Sequence, residues 1–164
     1  GELCMAIHMY LKLDSITGEG SAKGYEDQIE ILSWTWGLTQ SGSAHHGSGT
    51  GTAGVTVGDV SIVKFVDKAT PNLVKLVCSG MFFKEATLTV CKAGTEPVPY
   101  LQLVLQEGLV SSVNSGGIGP EERLIETVSF NFKIFKLTYT PQKDGKAGAG
   151  VPAGWDIPKN KPVG

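Results

Sequence analysis

The chain has little with which to cross a membrane, grip nucleic acid or hold a metal. Across its 164 residues no apolar run approaches the ~20 needed to span a bilayer. No charged segment, apolar stretch and small-residue cleavage site open it in the order of a signal peptide. The expectation is a protein made in the cytoplasm that, if it is exported, leaves by a route without a cleaved signal. Basic residues are not in excess: 14 Lys and Arg face 16 Asp and Glu, a net charge of −2. A nucleic-acid binder ordinarily carries a basic face to displace counterions from phosphates, so protein partners are expected instead. Cysteine is scarce too. Cys4 falls in the opening Gly1-Glu2-Leu3-Cys4, which reads as a cloning scar ahead of Met5. That leaves Cys78 and Cys91, with no CxxC pattern and no matching His pair, so neither a metal site nor a disulfide is expected. Both are read as small buried hydrophobes.

What the chain does have is glycine, 22 residues of it, with eight prolines and runs of Val, Ile, Thr and aromatics between them. This suits short strands joined by many turns, within one domain over residues 5–164. Met5, Ile7, Met9, Leu11 and Leu13 alternate with polar residues, the period of a strand with one buried face. A second strand is expected over Asp27–Gln40. There Ile29 and Ile31 share one phase and Leu32, Trp34, Trp36 and Leu38 the other, so the buried face switches near Ile31. Val55–Phe65 returns to strand with a kink at Gly58-Asp59. Thr87–Lys92, Tyr100–Gln106 and Leu109–Val113 are further strands. In Leu124–Thr140 the apolar phase moves from Phe132 and Ile134 to Phe135 and Leu137, as in a strongly bent strand. One helix is expected, with Thr70 as N-cap, Pro71 in its first turn and Gly80 as the left-handed stop, burying Leu73, Leu76 and Val77. After Pro141 an irregular tail is expected, tied down near Trp155 and Ile157. The fold class is therefore mainly β, a compact barrel or two packed sheets with one short flanking helix.

The segment Ser41–Gly54 reads SGSAHHGSGTGTAG and offers no large apolar anchor, so it is expected to be a long exposed loop. Its glycines do not make a phosphate-binding loop, because no Lys-Ser/Thr follows and the next segment reads as strand rather than helix. Adjacent His45 and His46 lack the three or four convergent ligands that a fixed metal site needs. No GxSxG elbow is present, and Glu121-Glu122-Arg123 reads as a wet face. No catalytic cluster, cofactor site or metal site is expected, and the chain is read as not an enzyme.

Taken in order, YLKLDSITGE, IEILSWTWGLTQSGSAHHGSG, FVDKATPNL, CKAG, LVSSVNSGGIGPEERLIETVSFNF, YTPQKDGKAGAG and GWDIPKN resemble the Hcp family of type VI secretion tube proteins, from Met5 to Asn160. The most specific stretches are Trp34-Thr35-Trp36-Gly37 with Gln40-Ser41-Gly42-Ser43, and Leu109-Val110-Ser111-Ser112-Val113 with Gly116-Gly117. The resemblance implies a small barrel that closes into a hexameric ring. Rings stack into a hollow tube, a sheath expels it with its spike, and small effector proteins ride in the lumen. It also implies that Thr35 and the Ser115–Gly119 turn, Ser115 and Ile118 among them, face that lumen. Ile118 departs from the small polar residue of close relatives and would make the wall locally apolar. The loop residues Ser41, Gly42, Ser43, His45, His46, Gly47, Ser48, Gly49 and Thr50 are expected to make ring-to-ring contacts, because ordering a mobile segment at ~1 kcal/mol or more per residue keeps stacking weaker than ring closure. The competing reading is a monomeric β-barrel that binds a small ligand or carbohydrate, and a small hydrolase ranks last.

Overall fold

The computed structural model describes residues 7–42, 54–92, 97–120 and 122–164; the opening four residues and the centre of the Gly-rich loop lie outside them. The elements in chain order are β1 (Ile7–Leu13), β2 (Ile29–Ile31), β3 (Ser33–Thr35), β4 (Leu38–Gln40), β5 (Val55–Val57), β6 (Val60–Phe65), α1 (Thr70–Ser79), β7 (Phe83–Lys92), β8 (Val98–Gly116), β9 (Ile125–Tyr139), β10 (Gln142–Lys143), β11 (Lys146–Ala147), β12 (Val151–Asp156) and β13 (Lys161–Pro162). The fold is mainly β, with one short helix among the described residues, as the composition implies.

Strand β9 is the hub. Strand β8 runs antiparallel along one side of it. On the other side, β6 pairs with Ile125–Phe130 and β12 with Ile134–Tyr139. The expected shift of buried phase falls at this change of neighbour: Val128, Phe130 and Phe132 are buried, and then Phe135. A strand that serves two packing surfaces in turn must bend between them. From β8 the sheet continues through β7 and β1 to β2.

The expected strand 27–40 is three short strands. Strand β2 pairs with β1, β3 with β6, and β4 with β5. Leu32 is the crossing point, its N–H donating to Val63 O at 2.8 Å. The sheet thus curls until the chain itself links its two ends at Leu32. Among the described residues the ladders do not close into a complete barrel. Inside the curl, Leu11, Ile29, Ile62, Leu88, Leu103 and Phe130 form the core.

Four local differences have physical reasons. Residues 100–113 form one strand rather than two, with a register shift against β9 between Val110 and Ser112; Glu107 takes φ 51° without breaking the ladder, and a Cβ on Gly108 would lie 2.4 Å from Asn131 O, so glycine lets the backbone pass there. Thr70 is not the helix N-cap. That position is Ala69, and the Thr70 hydroxyl is engaged elsewhere. Leu73 is buried as expected, but Val77 is exposed, as is Cys78, whereas Cys91 is buried. The tail is not irregular: β12 extends the sheet beside β9, β13 pairs with β12, and Trp155 and Ile157 pack against the core.

Gly80 closes α1 with φ 65°, as expected, and its N–H donates to Leu76 O. Space is open where its Cβ would sit, so Gly80→Ala loses only the conformational term, roughly 1 kcal/mol. Thermal unfolding should register this as a midpoint lower by about 2–4 °C.

Candidate assembly and lumen surfaces

Strand alternation sends Trp34 and Trp36 toward the core and Thr35 away from it. Both tryptophans are half-buried against the core cluster, and Trp36 meets Phe135 edge-on at 4.9 Å. Its indole N–H donates to Gly58 O at 3.1 Å, which fixes the kink between β5 and β6. Thr35 is exposed at the end of β3, opposite Ser61.

The Gly-rich segment joins the two strands of a ribbon in sequence. Among the described residues strands β4 and β5 pair only with each other, and Leu38 on the ribbon is exposed. At the mouth of the loop the Ser41 hydroxyl donates to Gly54 O at 3.3 Å, and the Gly42 N–H donates to Gln40 Oε1 at 3.1 Å. Of the expected stacking residues, Ser41 and Gly42 are exposed on this ribbon. Ser43, His45, His46, Gly47, Ser48, Gly49 and Thr50 lie outside the described residues. At the ribbon's root, Leu38, Val55, Phe135 and Trp155 line a hollow of about 500 Å³.

The turn after β8 leaves the sheet past the last ladder pair, Gly116↔Ile125. Ile118 is 69% exposed on it. With Ser115, Gly116, Gly117, Gly119 and Leu124 it surrounds an open hollow of about 440 Å³.

Beneath this turn is an arrangement the sequence reading missed. Lys64 and Glu126 are 0% and 1% exposed, with Nζ and Oε1 2.5 Å apart. Lys64 Nζ also donates to Phe65 O at 2.8 Å and to Asp67 Oδ1 at 2.9 Å. The Thr70 hydroxyl donates to Glu126 Oε1 at 2.6 Å, and the Ser115 hydroxyl to Oε2 at 3.0 Å. Burial pushes the Glu126 carboxyl up, but the hydrogen bonds from Lys64, Thr70 and Ser115 and the Lys64 charge outweigh it and hold it below the ordinary value. The signal was present in the pattern: Lys64 continues the inward phase of Val60 and Ile62, and Glu126 that of Val128 and Phe130. A charge in such a phase must be paired.

Among the described residues no group of three or more His, Cys, Asp or Glu gathers as a metal site. Burial pushes the Cys91 thiol up, away from the reactive thiolate.

A family model described as type VI secretion system effector, Hcp, matches residues 10–139. The chain belongs to the Hcp family. Over 159 residues it is 46% identical to protein hcp1 of Pseudomonas aeruginosa, covering 95% of this chain and 98% of that protein. Hcp1 from Salmonella typhimurium, a crystal structure, superposes with a TM-score of 0.82 at 33% identity, over 97% of this chain and 100% of that one. A type six secretion system protein of known structure gives 0.88 at 28% identity, over 96% and 100%. The chain is thus a secreted Hcp protein of the type VI machine, in a family that is not one of enzymes. No described helix is long and apolar enough to cross a membrane.

Proposed function

We propose that this Hcp protein is the inner-tube subunit of the type VI machine: it closes into hexameric rings, the rings stack into a hollow conduit, and small effector proteins travel in the lumen. Its partners are further copies of itself, the sheath and spike, and the effectors. It waits in the bacterial cytoplasm and is expelled without a cleaved signal, and it performs no catalysis. Residues 5–164 act as a single unit.

The observation that carries this reading, given the family, is where apolar surface is left uncovered. A ring needs two different complementary patches on each subunit. Exposed apolar side chains sit at both ends of β9: Leu124 and Ile125 at its start, Tyr139 and its ladder partner Val151 at its finish. Uncovered side chains of this size at two sites mark contacts with other molecules better than scattered single residues would. The separate β4–β5 ribbon, carrying the loop from Ser41 to Thr50, supplies an arm for ring-to-ring contact. Thr35 and the turn with Ser115 and Ile118 face the lumen.

Negative-stain electron microscopy with light scattering tests the assembly: six-fold rings with an open centre are expected. A strict monomer across a wide concentration range would sink the proposal. Thr35→Trp should leave the unfolding free energy within about 0.5 kcal/mol, as for an exposed substitution. It should narrow the lumen and change how much co-expressed effector protein stays with the purified rings. Unchanged retention would remove Thr35 from the wall.

A further inference from the structure

The turn 116–119 cannot orient itself, since Gly116, Gly117 and Gly119 bring no side chains to hold it. Its orientation comes from the strip Lys64–Asp67, to which it is tied three times. Ser115, on the outgoing leg, donates its hydroxyl to Glu126 Oε2, and Glu126 in turn holds Lys64. On the returning leg, Leu124 O accepts the Val66 N–H at 2.9 Å. The Arg123 guanidinium lies over the Phe65 ring at 3.8 Å.

The same strip leads directly into α1. Asp67 Oδ1 accepts the Ala69 N–H at 2.9 Å, and Thr70 Oγ1 accepts the Asp67 N–H at 3.1 Å. The first residue of α1 therefore reaches Glu126 Oε1 on one side while Ser115 reaches Oε2 on the other. The carboxylate has no slack, because its main counterion, Lys64, is itself held by Phe65 O and Asp67.

We propose that Glu126 is a positioning residue that couples the start of helix α1 to the turn 116–119, so that the turn, and Ile118 on it, keeps its direction only while the helix-side hydrogen bond from Thr70 is in place. Helix α1 lies on the flank of the sheet with Val74 and Val77 exposed, so a contact made there is transmitted through one carboxylate to the turn. The coupling stands by itself; only its use in holding or releasing effector proteins rests on the proposed function.

Arg123 is the sole arginine of the chain and is followed by Leu124, so an arginine-specific protease has one place to cut, on the returning leg of the turn. With the full chain as purified, the initial rate of that cut reports how often the turn lifts off the strip. Ser115→Ala, which removes the turn-side bond, should speed the cut at least threefold. Thr70→Val, which keeps the shape of the side chain and removes the helix-side bond together with the acceptor of the Asp67 N–H, should do so to a similar degree although residue 70 makes no hydrogen bond to the turn among the described residues. Leu103→Val, a core change in β8 away from the strip, should not, and it separates local release from general loosening. If Thr70→Val cuts at the wild-type rate while Ser115→Ala is fast, the helix is not coupled to the turn and the proposal falls. If both cut at the wild-type rate, Glu126 does not position the turn at all. A sixfold ring in the microscope is neither required nor excluded by any of these outcomes, so failure here leaves the tube reading standing, and failure of the tube reading leaves this test intact.

Discussion

Lys64→Met is expected to lower the stability of the protein by about 3–5 kcal/mol, read from the denaturant midpoint at pH 7. The size follows from what is left behind. Methionine fills much of the lysine's volume, but Glu126 then keeps a buried negative charge with only the Thr70 and Ser115 hydroxyls to hold it. Asp67, whose Oδ1 lies 2.9 Å from Nζ, loses the same cation. The pH dependence gives a second, sharper check. In the wild type the folded Glu126 carboxyl lies below its ordinary 4.5. Its contribution is therefore present above about pH 4.5 and is lost as pH falls through the depressed folded value. In Lys64→Met the sign reverses, because burial now outweighs the remaining donors and the folded value rises above the unfolded one. The variant's penalty is then largest at neutral pH and fades as the carboxyl takes up a proton. Acidification should thus bring the wild type and variant together. A gap that stays constant from pH 7 to pH 4 would show that the charge pair is not the source of the loss. The double variant Lys64→Met, Glu126→Leu should recover much of the stability, since replacing a whole buried pair by apolar groups is often close to neutral.

How much of this was legible in the residues depends on which physical signal each one carried. Alternation in the first half of β9 is a strong signal because one face is buried, and there Val128, Phe130 and Phe132 lie inward as expected; in β1 only part of the expectation holds, since Leu11 and Leu13 are buried but Ile7 is exposed and Tyr10, in the opposite phase, is buried as well. The switch of phase near Ile31 was legible, but its form was not: Trp34 and Leu38 look like one strand in sequence, whereas partner choice cuts the segment at Leu32 and at Trp36-Gly37. Pairing is a non-local property that composition does not carry. The tail failed for the same reason, since Val151–Asp156 is weakly strand-like and is recruited by the free side of β9. Thr70 failed because a side chain with one hydroxyl can cap a helix or serve a buried carboxylate, and Glu126, 56 positions away, decides between them. Cys78 was read as buried from residue type alone, while the helix face that packs inward is set by Leu73 and Leu76. In the candidate surfaces, Thr35 pointing away from the two tryptophans was legible from alternation. The buried pair under the Ser115 turn was equally legible from its phase, but a Lys and a Glu in separate strands show their relation only once β6 and β9 lie side by side.

Deleting Gly47–Gly54 should leave rings intact and nearly abolish their growth into tubes. The argument turns on multiplication. Among the described residues the ribbon β4–β5 is a sheet of its own, so shortening the segment between its strands should leave the ladders of the main sheet in place. The loss per subunit is small, because ordering a glycine-rich segment offsets most of what its contacts contribute. In a hexameric ring every subunit brings a loop, however, and a deficit of only about 0.7 kcal/mol per loop adds up to roughly 4 kcal/mol per ring, about a thousandfold in the stacking constant. Ring closure, which the proposed function assigns to patches at the two ends of β9, should feel none of this. Light scattering should therefore report the ring mass unchanged, while electron microscopy at matched concentration shows isolated rings in place of stacks. Loss of the rings themselves would move the loop from the stacking contact into the ring contact, and tubes of undiminished length would leave it with neither task.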